Sequence, residues 1–161
     1  MEIIQLLSTD RIVCDVSVSS KKRALEAASN LLSEATTDVD LSETEIFDGL
    51  IARERLGSTG LGHGVAIPHG RFKGINQAIA VFIKFEQGID FDAIDAEPVD
   101  LMFALMVPEE STEEHLQLLA ALAEMFSNPS MRERIRQSSS SAEIAAIFGG
   151  WQTAEQKVAA S

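Results

Sequence analysis

Between residues 57 and 70 the chain reads Gly57-Ser58-Thr59-Gly60-Leu61-Gly62-His63-Gly64-Val65-Ala66-Ile67-Pro68-His69-Gly70, with five glycines and a histidine set directly after a proline. Glycine opens backbone conformations closed to other residues and leaves amide N–H groups uncovered, so this composition suits a loop folded around an oxyanion such as phosphate. Pro68 fixes one dihedral angle just ahead of the imidazole of His69. With an ordinary pKa of about 6.5, that imidazole is largely neutral at cellular pH and can attack a phosphoryl group to form a phosphoramidate. His69 is therefore the candidate nucleophile. Gly57, Ser58, Thr59, Gly60 and Gly62 are the candidate phosphate-binding loop, and the hydroxyls of Ser58 and Thr59 suit either phosphate contact or the turn itself.

Other chemistries fit the stretch less well. Gly60-Leu61-Gly62-His63-Gly64 has dinucleotide-loop spacing, but it follows an amphipathic helix and runs into Pro68 instead of linking a strand to a helix. No Gly-Lys-Ser/Thr sequence provides a P-loop, and Ser58 is not in a Gly-x-Ser-x-Gly elbow. His63, His69 and His115 can supply three nitrogens to zinc in principle, yet their spacing matches no familiar zinc motif. The expectation is no metal and no cofactor.

Around the loop, the pattern predicts the elements that position it. Ser19 or Ser20 precedes a helix with Leu25, Ala28, Leu31 and Leu32 at helical spacing. Ser42 and Glu45 form a capping-box signal for a second helix, striped by Ile46, Leu50 and Ile51 and reaching Arg55 or Leu56. Arg53 falls in its last turn, where a guanidinium can fold over the glycine loop or stabilise the negative end of the helix dipole. The segments 77–85 and 99–107 read as buried strands, and 12–14 and 64–67 as short ones. Ser111 and Glu114 predict a second capping box, opening a long helix through Leu116, Leu119, Ala120, Ala123 and Phe126. His115 then stands near an electropositive helix N-terminus that favours a phosphoryl anion, or heads an apolar face with Leu119 and Leu122. Asn128-Pro129 breaks the chain before a short basic helix over 131–137, the serines at 138–141 form a linker, and Ser141 leads into a final helix over 143–148. Strands interleaved with helices predict a layered α/β sandwich with a central mixed sheet.

The glycine stretch, together with Arg53-Glu54, the runs 91–100 and 101–108, and His115, resembles the active-site signature of enzyme IIA proteins of the mannitol/fructose type in the bacterial phosphotransferase system. The likeness is nearest to their nitrogen-regulatory (PtsN-like) branch and spans all but roughly the last ten residues. It implies the same sandwich fold. It further implies that His69 takes phosphate from an HPr- or NPr-type phosphocarrier, with His115 and Arg53 as its companions. The partners it implies are regulated proteins such as potassium transport systems or sensor kinases, and the alternative is a relay to a fructose/mannitol-type sugar permease. The family's loop often carries asparagine where this chain has His63.

Composition is consistent with that expectation. A length of 161 residues suits one domain, expected over 1–150 with a flexible tail over 151–161. A net charge of −12 argues against nucleic acid and favours a partner with a basic docking face. The longest apolar run, 101–107, is far short of the roughly 20 residues that span a bilayer. With no export signal at the N-terminus, a cytoplasmic protein is expected. Cys14 is the only cysteine and is expected to pack as a small hydrophobe.

Overall fold

A computed structural model describes residues 3–151. The two long apolar segments form the spine of its sheet. They are β5 (Ile79–Ile89) and β6 (Val99–Pro108), paired antiparallel. Short 3-10 turns at Ile3–Leu6 and Thr9–Arg11 lead into β1 (Ile12–Val16), which adds parallel to β5. The other edge of β6 takes two short strands in succession, both parallel to it: β3 (Val65–Ala66) opposite Leu101 and Met102, and β4 (His69–Phe72) opposite Leu105 to Pro108. The interruption has a local cause, because Pro68 has no N–H to give and Ile67 donates its own to the Thr59 carbonyl. A further strand, β2 (Gly60–Gly62), pairs antiparallel with β3. The result is a six-stranded mixed sheet in one domain.

Both faces of this sheet are covered, which is why β6 carries the apolar run 101–107. Leu101, Phe103, Leu105 and Val107 point to one face. They meet α3 (Thr112–Phe126), α4 (Pro129–Gln137) and α5 (Ser141–Gly150) through Leu118, Leu122, Met131, Ile135, Ile144 and Phe148. Met102, Ala104 and Met106 point to the other face, against Leu25, Leu32, Ile46 and Leu50 of α1 (Lys21–Ala35) and α2 (Glu43–Glu54). Phe82, Phe103, Phe126 and Phe148 interlock on the α3 side, Phe82 and Phe148 edge to face at 5.1 Å between ring centres.

Local capping explains most helix starts. The Ser20 hydroxyl accepts from Arg23 N, Ser42 and Glu45 form the reciprocal box, and Asn128 accepts from Met131 N with Pro129 opening the helix. Two expectations need correction. Ser111 precedes α3 but its side chain makes no cap hydrogen bond, because its backbone sits at φ −89°, ψ 58°, outside the extended geometry of a capping residue. The cap of α5 is Ser140 instead of Ser141, whose hydroxyl donates to the Ile12 carbonyl at 2.5 Å. Among the described residues no helix is long and apolar enough to cross a membrane. The expected tail beyond Trp151 lies outside the described residues.

Candidate functional site

His69 opens β4, which pairs with β6 and, among the described residues, with no other strand. Its register with Leu105 turns the imidazole toward α3, and strand periodicity sends Arg71 the same way. The pocket they enter holds about 350 Å³ and straddles the sheet edge, lined by Arg53 and Leu56 from the end of α2, and by Thr112, His115 and Leu116 from the first turns of α3. Small residues allow α2 to come this close. A Cβ at Gly49 would lie 2.6 Å from the Phe72 ring, and one at Gly70 would lie 2.9 Å from it.

The His69 side chain is nearly enclosed, the residue being 7% exposed. Its Nδ1 lies 2.8 Å from the Ile67 carbonyl oxygen. A carbonyl only accepts, so Nδ1 carries the hydrogen and the neutral ring keeps its lone pair on Nε2. Burial pushes the His69 pKa below its ordinary value, and the Arg53 guanidinium adds to that, against the opposing pull of the Ile67 hydrogen bond. His115 meets His69 edge to face, the ring centres 5.1 Å apart and the planes at 74°. Its pKa is also lowered, first by burial, then by His69, Arg71 and Arg53. The His115 Nδ1 is buried and has no hydrogen-bond partner among the described residues. Among the described residues no carboxylate lines the pocket. In a chain of net charge −12, this is a cationic concavity suited to an anion.

The structure thus brings together His69, Arg53 and His115, and it adds Arg71, whose Nη1 lies 3.4 Å from Thr112 Oγ1. Arg71 was legible in principle, as the residue two places after His69 on the same strand face. The glycine loop stands apart from this pocket. Gly57 N donates to the Glu54 carbonyl, Thr59 N to the Glu54 carboxylate, and Gly60 N to Ser58 Oγ. The Ser58 hydroxyl donates to the Phe91 carbonyl at 2.7 Å, and that of Thr59 to Glu54. Gly62 faces the Asp95 carboxylate, and none of the five candidate loop residues lines the His69 pocket. Arg53 has a second partner besides the pocket, since its Nη1 donates to the Gly57 carbonyl at 2.8 Å.

His63 lies elsewhere, exposed at φ +56° with its N–H donating to Asp95 Oδ2 at 2.8 Å. That left-handed backbone is one asparagine also adopts readily. His63 lines a different hollow with Asp95, Glu97 and Arg136, so the three histidines do not converge. Cys14 is half-buried against the α3-side core, where burial pushes its thiol pKa up.

Comparison with known proteins agrees with this geometry. Residues 5–150 match the family described as phosphoenolpyruvate-dependent sugar phosphotransferase system, EIIA 2. The nitrogen regulatory protein of Pseudomonas aeruginosa is 45% identical over 132 residues, covering 82% of this chain and 84% of that protein. The nitrogen regulatory protein of Escherichia coli K12 is 38% identical over 149 residues, covering 92% and 90%. The crystal structure of nitrogen regulatory protein IIA-Ntr from Neisseria meningitidis superposes with a TM-score of 0.84 at 48% identity, covering 91% of this chain and 98% of that one. A pocket built on a proline-fixed histidine, in a sandwich matched over nearly its whole length, identifies this chain as a member of the EIIA 2 family of the phosphotransferase system.

Proposed function

We propose that the chain is a phosphoryl-carrier and regulatory protein of the nitrogen phosphotransferase system, acting in the cytoplasm. In this reading His69 accepts phosphate from a phosphorylated HPr- or NPr-type protein. The observation that carries it is the His69 pocket itself, where Nδ1 of the imidazole is held 2.8 Å from the Ile67 carbonyl and Arg53, Arg71 and His115 stand around the ring with no carboxylate lining the pocket among the described residues.

Transfer is in line. The Nε2 lone pair of His69 forms a P–N bond as the P–N bond to the donor histidine breaks, and that electron pair returns to the donor imidazole. The hydrogen stays on Nδ1 throughout, donated to the Ile67 carbonyl. Charge spread over the phosphoryl oxygens is met by the Arg53 and Arg71 guanidiniums and by His115, groups already in place before the donor arrives. Leu56 and Leu116, 85% and 64% exposed at the rim, give a docking protein apolar area around the transfer path. Once bound, the phosphoryl group adds nearly two negative charges at that rim and so changes which proteins can dock there. The nitrogen-regulatory relatives favour regulated targets, such as potassium transport systems or sensor kinases, over relay to a fructose/mannitol-type permease.

The test is intact mass after incubation with phosphoenolpyruvate, enzyme I and an HPr-type carrier. One acid-labile phosphoryl addition is expected in the wild type and none in His69→Ala. Uptake on a histidine in the His69→Ala protein overturns the assignment, and passage of label onward to a sugar-specific subunit makes the chain a relay.

A further inference from the structure

The last turn of α2 carries two adjacent charges that face different surroundings. Arg53 lines the His69 pocket, whereas the Glu54 side chain is turned inward and is only 2% exposed. A carboxylate so enclosed is costly unless it is paired and hydrogen-bonded. Glu54 is both. Its Oε1 and Oε2 accept from Thr59 N at 2.9 and 3.1 Å, Oε1 also accepts the Thr59 hydroxyl, and Oε2 lies 3.5 Å from Lys21 Nζ. Lys21, the first residue of α1, also donates to the Phe91 carbonyl at 3.3 Å and lies 4.8 Å from the centre of the Phe91 ring. Its other charged neighbour is exposed Asp92, at 3.9 Å.

Phosphoryl transfer as described above uses none of these groups directly. Their geometry nonetheless ends on a residue that it does use. Glu54 grips the turn after α2 from both ends, its carbonyl accepting Gly57 N at 3.1 Å and its carboxylate holding Thr59. The carbonyl of the gripped Gly57 in turn accepts Arg53 Nη1 at 2.8 Å. A long cationic side chain at a half-open rim must otherwise be ordered at the moment of transfer, and ordering it beforehand lowers the barrier.

We propose that Glu54, with Lys21 as its counter-charge, is a positioning residue for phosphoryl transfer, holding the 55–59 turn so that the Gly57 carbonyl aims the Arg53 guanidinium beside His69. This rests on His69 being the phosphoryl acceptor. The glycine loop then contributes by placing a side chain, without touching phosphate itself.

Glu54→Gln tests it, because the amide keeps the shape but leaves one acceptor oxygen for donors that now have two. Single-turnover transfer from a phosphorylated HPr-type donor to the full chain is measured by rapid quench at varied donor concentration. The maximal rate is expected to fall on the order of 10- to 100-fold, with the half-saturating donor concentration nearly unchanged. Arg53→Ala added to Glu54→Gln is expected to cost little more, since both changes remove the same placed guanidinium. A maximal rate equal to wild type, a loss confined to the half-saturating concentration, or losses that multiply in the double variant overturns the proposal.

Should Glu54→Gln lose its near-ultraviolet circular dichroism, Thr59→Val takes its place; a several-fold rate loss, again non-additive with Arg53→Ala, is expected, and an unchanged rate overturns the inference. Order of the Arg53 side chain, read by 15Nε relaxation with no donor present, separates this proposal from the reading beneath it. Order lost in Glu54→Gln supports the lock even if wild type accepts no phosphate, and order retained overturns it.

Discussion

The segment 57–72 has two halves that each carry a histidine, the first with four glycines and the second with Gly70 alone, and they differ in what their polar groups do. In the first half, Gly57, Thr59, Gly60 and His63 all donate their amides within the protein, and the hydroxyls of Ser58 and Thr59 are bonded to Phe91 and Glu54. In the second half His69 commits only Nδ1, and Arg71 and the neighbouring His115 turn toward an open pocket. The difference shows that glycine density alone does not make an anion cradle. It allows a tight turn, and whether the exposed amides meet a ligand or the protein depends on which acceptors the rest of the fold brings to them, here Glu54, Ser58 and Asp95.

The contrast is broken most directly at His115. His115→Ala should slow transfer onto His69 by about 10- to 100-fold while leaving the acceptor in place, because it removes an imidazole 5.1 Å from the reacting ring in a pocket where none of the described lining residues is a carboxylate. Rapid-quench kinetics reads this, with intact mass confirming that a single phosphoryl group still arrives. A rate within threefold of wild type would place His115 among packing residues.

Acidification gives the next largest effect. Both His69 and His115 have folded-state pKa values below the ordinary one near 6.5, so the unfolded chain binds more protons as pH drops through that value. Stability from these two residues is therefore complete at neutral pH and is lost as pH falls from the unfolded value toward the folded ones. Urea midpoints should decline across this window more steeply for wild type than for the His69→Ala, His115→Ala double variant. The transfer rate should hold to a pH below the ordinary histidine midpoint, because His69 stays neutral there. NMR titration of the two imidazoles checks both, and a His69 midpoint above the ordinary value would contradict the burial argument.

What the sequence made visible divides along the same lines as the chemistry. Ser20, and Ser42 with Glu45, were legible because a cap is a contact within three residues, whereas Asn128 reads only as a break although it caps α4, and β5 and β6 were legible because burial on two faces leaves the apolar runs 78–83 and 101–107. The strands β2 and β4 were not, since three or four residues carry no period of their own and exist by pairing with β3 and β6. That omission hid Arg71, which shares a strand face with His69. Arg53, His69 and His115 were each named from local pattern and likeness, but the Gly49–Phe72–Gly70 contact that lets α2 approach β4 joins residues far apart in the chain. The loop's partners Glu54 and Phe91 were likewise invisible as partners, because nothing in a glycine run says which carboxylate or carbonyl will meet it.

Ser58→Ala should have the smallest effect, and it sharpens the comparison. The Ser58 hydroxyl donates to the Phe91 carbonyl at 2.7 Å and accepts from Gly60 N at 3.1 Å, so the change leaves one carbonyl and one amide to find water at a half-buried position. A loss of about 1 kcal/mol in stability is expected from a hydrogen-bonded hydroxyl removed at such a site. Transfer onto His69 should stay within threefold of wild type, because Glu54 still holds Thr59 and Gly57 still meets Arg53. Chemical denaturation and rapid quench on the same variant separate the two quantities. A stability loss without a rate loss is the signature of a loop whose hydroxyl serves the fold. A rate loss of tenfold or more without a stability loss would instead bring Ser58 to the phosphoryl group and make the two halves of the segment one site.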